Sequence, residues 1–364
     1  MRIRLGDITK YSKGAQINGD DLIEDGMYIY LNGGINPSGR WNAFNVEGNT
    51  VTISEGGNSS GYINYITEAF WCGAHCYFLY DGPKNSRYLY YALKSQQERL
   101  FRIRSGACMP NIKKADLGKF EFEFDFDEQK QATIVSTLSK VEAIIIDRKK
   151  ELKLLDDFIK ARFVEMFGDP VSNSYGLPEA TLQELGELGR GVSKHRPRND
   201  PELLGGDYPL IQTGDVAAAN LFITSYNSTY SELGLKQSKM WEKGTLCITI
   251  AANIAKTAIL DFDACFPDSV VGFTANEKTS NIFIHYWFSF FQALLESQAP
   301  ESAQKNINLK ILSELKVIVP EKEKQDEFVD FVKQVDRLKV AVQKALEETQ
   351  LLFDSLMQEY FEKS

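Results

Sequence analysis

Two stretches of this chain carry the hydrophobic rhythm of a coiled-coil helix. From Ile134 the apolar positions run Ile134, Leu138, Val141, Ile145, then Leu152, Leu155 and Ile159, in alternating steps of four and three with Arg148 filling one step. Near the C-terminus, Phe328, Phe331, Val335, Leu338, Val342, Ala345, Thr349, Leu352 and Leu356 keep the same beat. Such spacing draws one apolar seam along a helix for about four heptads. The first helix is predicted to begin after the acidic run Asp125 to Asp127 and to stop at Gly168-Asp169-Pro170, and the second to begin beside Pro320. Ahead of each helix lie short strand-like runs, Val51-Thr52-Ile53 and Phe120 to Phe126 in the first half, Leu246 to Ile250 and Leu315 to Val319 in the second.

The two halves repeat one another. Leu5, Asp7, Ile8 and Gly14 correspond to Leu182, Glu184, Leu185 and Gly191; Thr50, Ile53, Asn58 and Phe78 to Thr245, Ile248, Asn253 and Phe273; Asn111-Ile112 to Asn306-Ile307. Gln129 aligns with Gln325, and Phe163 to Phe167 with Met357 to Phe361. Correspondence kept in order along a whole chain marks a duplicated module. The expected organisation is a mixed α/β module over 1–127, a long helix over 128–167, a second module over 168–320 and a second long helix over 321–364. The second helix has only the first to pack along, so the pair is expected to run antiparallel. The class is α+β, two mixed modules separated by antiparallel coiled-coil helices in a pseudo-two-fold repeat. A helix of 40 residues is roughly 60 Å long, against about 34 Å for a turn of DNA, so the helices would suit a ruler between two readers.

Composition constrains the rest. Apolar residues make up 43% of the chain, enough for ordinary cores. No apolar run is long enough to span a bilayer and Met1-Arg2-Ile3-Arg4 leads into folded-type sequence, so a cytoplasmic chain without signal peptide or membrane contact is expected. The net charge is -9, and residues 168–320 carry 12 basic against 17 acidic groups, which excludes a basic domain. Nucleic-acid binding depends on clustering rather than the total. Arg99, Arg102 and Arg104 precede Lys113, Lys114 and Lys119, and Arg190, Lys194, His195, Arg196 and Arg198 crowd one Gly- and Pro-punctuated loop. Cys72, His75 and Cys76 invite a metal reading, but no second Cys/His pair lies nearby; they are read as small core residues, with no metal expected.

The polar loop Gly56 to Gly61 follows a strand and offers Asn58 and Ser59; the matching Ala251 to Lys256 offers Asn253 and Lys256. Asn pairs bidentately with adenine and Lys meets guanine or phosphate, so both loops suit DNA reading. Phosphate-loop, nucleophile-elbow and dinucleotide fingerprints are missing, and the three histidines lie far apart in sequence. No catalytic residue and no cofactor is therefore expected. Apolar residues beyond the needs of a helix pair, Phe158, Phe163 and Phe353 foremost, are candidates for contact with a partner protein.

The order of module, helix, module, helix, together with Leu5-Gly6-Asp7-Ile8, Met109-Pro110-Asn111-Ile112, Glu128-Gln129 and the stretch Thr249 to Phe273, resembles the specificity subunit of type I restriction-modification systems over essentially the full chain. Lys324-Gln325 and Ala303-Gln304-Lys305-Asn306 depart from the family's usual Glu-Gln and Pro-Asn. The resemblance implies a non-catalytic protein with two target-recognition domains, each reading half of a split site in double-stranded DNA, and helices that dock two methyltransferase (modification) subunits. The restriction/translocase subunit would join through that complex. The alternative is a protein-protein scaffold with two interaction modules on a coiled-coil spacer.

Overall fold

Strand pairing between distant segments is what closes each half of the chain. The structure is a computed structural model that describes every residue except 107–108, 199, 252, 299–306 and 362–364, with backbone only for 293–298. Ala303 to Asn306, aligned above with the first half, thus lie outside the described residues. The chain divides into two units, Met1–Lys149 with Lys344–Ser364, and Lys150–Gln343. Both long helices, Glu128–Phe167 and Lys322–Phe361, are shared between them.

In the first unit, Arg2–Arg4 pairs antiparallel with Glu121–Glu123. A four-stranded antiparallel sheet runs in the order Lys10–Lys13, Cys76–Tyr80, Thr50–Ser54, Ile63–Ile66. Its β-branched strand Thr50–Ser54 is buried along nearly its whole length, as such residues favour. A smaller sheet joins Gly39–Trp41, Tyr28–Leu31 and Trp71–Cys72. The helix Ser86–Lys94 starts where Asn85 Oδ1 accepts the Tyr88 amide at 3.0 Å, and it buries Tyr88 through Leu93. Glu142 on the long helix accepts hydrogen bonds from Arg87 and, at 2.9 Å, from Tyr91. The core needs both long helices, since Ile134 and Leu138 of one and Met357 and Phe361 of the other belong to it. Cys72 and Cys76 are buried, Cys72 Sγ donating to the Cys76 carbonyl at 3.4 Å, while His75 faces Glu55 instead.

In the second unit, Glu179–Thr181 pairs with Lys316–Ile318, the counterpart of the first unit's closing pair. A five-stranded sheet runs in the order Gly186–Arg190, Val270–Ala275, Leu246–Thr249, Thr257–Leu260, Phe222–Ile223, and a four-stranded one Ser228–Tyr230, Leu204–Leu210, Ala264–Cys265, Met240–Trp241. Glycine is required at 189 and 272, where a Cβ would come within 2.5 and 2.7 Å of the Trp241 ring. The helix Asn281–Gln298 covers the larger sheet. Here the long helices run antiparallel, for Asp156 meets Lys339 at 2.6 Å while Arg162, further along, meets the earlier Glu327 at 2.8 Å.

The first helix's expected seam matches its buried positions at Ile134, Leu138, Val141, Ile145 and Ile159. The second differs. Phe328, Val332, Val335, Lys339 and Val342 are buried, whereas Leu338 is 57% and Leu352 51% exposed. The four-three spacing survives but one seam position is a lysine, tolerated because Asp156 receives its ammonium. Phe163 is a further correction: it has no exposed surface, stacking on Phe283 at 5.4 Å and meeting Phe328 edge-on at 5.3 Å, so it is core and offers nothing to a partner. Phe158 is 54% exposed against Phe331, and Phe353 is half-buried with its ring edge toward Tyr91.

Candidate nucleic-acid interface

A loop of matching backbone path recurs in both units. In the first, Gly61 N donates to Ser54 O at 2.7 Å and Ser54 N to Tyr62 O at 2.9 Å; in the second, Ala255 N donates to Thr249 O and Thr249 N to Lys256 O, both at 2.9 Å. Gly61 has φ 81° and Ala255 φ 57°, so the same left-handed turn is kept even where a side chain must be strained into it. These bonds fix the correspondence within the loop. Asn253, whose carbonyl accepts Lys256 N, stands where Ser59 accepts Tyr62 N, one place from the Asn58 that the sequence offset suggested, because the second loop is a residue shorter.

Around the first loop lies a strap. Gly57 N donates to Pro110 O, Ile112 N to Glu55 O, and Ser105 and Asn111 exchange backbone bonds at 2.8 Å, which explains the Met109-Pro110-Asn111-Ile112 motif as backbone chemistry. Asn58 is exposed, while the Ser59 hydroxyl is held by Gly33 O at 2.6 Å. Arg104, next to this strap, lays its guanidinium 3.9 Å over the Phe101 ring, with Nε buried and unpartnered. Arg99 and Arg102 line a different recess of about 640 Å³ with Arg2, Asp116 and Lys119. Arg99 is partly committed there, donating to Gln96 at 2.6 Å and to Glu121 O at 2.9 Å. Lys113 and Lys114 are exposed, Lys114 lying 5.7 Å from the Tyr11 ring.

The basic loop of the second unit owes its shape to an acid that sequence proximity did not reveal. Asp268 receives Arg198, and Arg196 at 3.5 Å, while its carbonyl accepts Arg190 Nε at 2.5 Å. His195 pairs with Asp200 at 3.0 Å. Backbone amides of Lys194 and His195 both donate to Gln237 Oε1, and Ser238 Oγ donates to Val192 O. These bonds bring Lys239 to the same loop, its ammonium 3.7 Å over Trp241. Lys239 was missed from sequence because only tertiary folding joins it to the cluster. Lys194 and Asn253 are exposed, but Lys256 turns inward to Gln292 Oε1 at 3.0 Å.

Comparison with known proteins gives a consistent pattern. Residues 1–155 and 179–349 match the model of the type I restriction modification DNA specificity domain. A putative type I specificity subunit of Mycoplasma pneumoniae is 32% identical over 199 residues, 52% of each chain, and one of Mycoplasma genitalium is 35% identical over 130 residues, 35% of this chain and 34% of that one. The chain thus spans about half the length of the first relative and a third of the second. In fold it resembles the crystal structure of a type I restriction-modification S subunit from M. genitalium, with TM-score 0.65 and 20% identity over 100% of this chain and 96% of that one. A second solved structure, described as the basis of complex assembly and conformational transition of a type I system, matches with TM-score 0.54 at 14% identity over 99% and 96%. Among the described residues no helix is long and apolar enough to cross a membrane.

Proposed function

Because the chain belongs to the type I restriction-modification DNA specificity family, both of its halves matching that domain, we propose that it is the non-catalytic DNA-recognition subunit of such a system. Residues 1–127 and 168–320 are the two readers, each addressing one half of an asymmetric bipartite site in double-stranded DNA. The long helices set the unread interval and dock two methyltransferase subunits, through which the restriction/translocase subunit joins; methyl transfer and cleavage belong to those partners.

The observation that carries this reading is the shared loop with unlike occupants. One backbone path carries exposed Asn58 and a tethered Ser59 in the first unit and exposed Asn253 in the second, and each unit adds cations of its own, Arg104 next to the strap in one and the Arg190 to Arg198 loop in the other. Equal frames with different side chains suit readers of two different half-sites, with cations supplying phosphate contacts and position. Exchanging residues 1–127 for the matching module of a relative, followed by methylome sequencing in cells carrying the partner subunits, is expected to change one half of the recognised site and leave the other. A change in both halves overturns the division. Gel shifts on random duplexes at low and moderate salt separate this reading from a protein scaffold, which binds no DNA at either.

A further inference from the structure

The second unit holds a cationic recess for which the DNA-reading role has no use. It encloses about 280 Å³ and is lined by Asp156 and Lys160 of the first long helix, Lys339 of the second, Lys256, and His285 and Ser289 of the covering helix. Three lysines and one aspartate line it, and a second aspartate, Asp336, acts on Lys339 and Tyr286 from beside it, which leaves the lysines in excess. Among the described residues only Lys339 of the three is ion-paired, to Asp156, while Lys256 donates to the neutral amide of Gln292. Thr257 Oγ1 lies 3.0 Å from His285 Nδ1 and fixes that ring against the wall. A hollow with surplus positive charge and hydroxyl and amide groups nearby is a site for an anion, since partial burial strengthens each attraction relative to bulk water.

The internal repeat supplies a control. The loop bonds make Tyr62 the counterpart of Lys256. The helix caps, Asn85 on Tyr88 and Ser280 on Phe283, make Tyr90 the counterpart of His285. Gln131 and Gln325, each the fourth residue of its long helix, make Ile145 the counterpart of Lys339. Aligning Phe163 to Phe167 with Met357 to Phe361 makes Asp354 the counterpart of Lys160. The first unit therefore places two tyrosines, an isoleucine and an acid where the second has three lysines and a histidine. Tyr90 and Ile145 are buried, and Tyr90 packs on Tyr65 at 5.5 Å. Scaffold alone does not require the cations, because the same fold is built without them.

We propose that this recess is a binding site for a small, freely diffusing phosphate-class oxyanion, held by Lys256, Lys339 and Lys160 and confined to the second unit. The inference stands apart from the DNA-reading role. Titration calorimetry of the full chain with inorganic phosphate, against chloride at constant ionic strength and neutral pH, is expected to give saturable single-site binding. Lys256→Tyr, which imports the first unit's residue, is expected to weaken it by about tenfold or more, and Lys160→Asp, on the exposed side of a helix and so harmless to folding, by a similar factor. Absence of saturable heat, or equal affinity in wild type and Lys160→Asp, overturns the site. Displacement of bound duplex by phosphate at constant ionic strength would assign the recess to the DNA backbone and overturn the free ligand.

Discussion

Gln131 and Gln325 perform the same task, each turning its side-chain amide back onto the backbone that precedes its long helix. Gln131 Nε2 donates to Asp125 O at 2.6 Å, and Gln325 Nε2 to Pro320 O at 2.9 Å. Gln325 also donates to Lys278 O and accepts from Thr279 Oγ1, both at 3.0 Å, so it ties the helix start to a loop of its module. It has no exposed surface. Replacing it with Ala strands the buried Thr279 hydroxyl and Pro320 carbonyl, besides freeing the part-buried Lys278 carbonyl, and each stranded buried group costs about 1–3 kcal/mol. Gln325→Ala is expected to lower the denaturation midpoint of the second unit clearly more than Gln131→Ala lowers that of the first, which urea titration followed by tryptophan fluorescence measures.

The same pair marks where sequence reading slips. Alignment by identity put Gln129 on Gln325, since both follow a charged residue at a helix start; only the hydrogen bonds reveal that Gln131 does the work. The long helices were legible because a seam repeats many times and tolerates local exceptions. Lys339 was not, since a buried lysine is intelligible only once Asp156, on the other helix, is beside it. The basic loop at 190–198 was legible as composition, but Asp268 reaches it through strand pairing and Lys239 through the hydrogen bonds of Gln237 and Ser238, and neither leaves a local trace. Phe163 fails for the opposite reason: burial by Phe283 and Phe290 comes from a helix more than a hundred residues away in sequence.

Asp268 sets how much charge the basic loop offers. With Arg196 and Arg198 paired to it, each retains roughly half of its side-chain exposure and shares its charge with a carboxylate. Asp268→Asn is expected to raise affinity for non-specific duplex and to steepen the log-log salt dependence. Arg196→Ala with Arg198→Ala is expected to lower affinity for specific and non-specific duplexes alike, flattening the slope by about one unit per lost phosphate contact. Loss confined to the specific site would identify a base contact, and unchanged binding in all three variants would place the loop off the DNA.

The second unit is expected to lose stability in acid through His285. Burial, and then the positive charge of Lys339, lower its pKa from the ordinary 6.5 to about 4, with Thr257 opposing weakly. Lys256, Lys160, Asp156 and Tyr286 line the same recess, and Asp336, whose pKa burial raises against the opposing charge of Lys339, acts on Lys339 and Tyr286 from beside it. A histidine depressed in the folded state keeps its full stabilising effect above 6.5, and the effect is lost as pH falls from there towards 4, because the unfolded chain takes up the proton first. By linkage the loss amounts to at most about 3 kcal/mol. Melting curves at neutral pH and near the lower end of that window are expected to converge for His285→Asn and to diverge for wild type; equal divergence in both would place the titrating group elsewhere.

Phe158 and Phe163, on the same helix, should respond oppositely to truncation. Phe163 touches Phe167, Phe283, Phe290 and Phe328, and its removal opens a cavity in a core that cannot collapse around rings held by two other helices. Phe163→Ala is expected to cost about 3–5 kcal/mol. Among the described residues Phe158 makes one aromatic pair, with Phe331, and is more than half exposed, so Phe158→Ala should cost about 1 kcal/mol, the scale of one such pair. An apolar ring left that exposed, with Leu154 and Val164 also exposed on the same helix, suits contact with a docked subunit. Phe158→Glu is accordingly expected to leave the melting temperature nearly unchanged and to abolish co-purification with methyltransferase subunits. If co-purification survives this charge while the fold is intact, that face is ordinary surface and the docking site lies elsewhere on the helices.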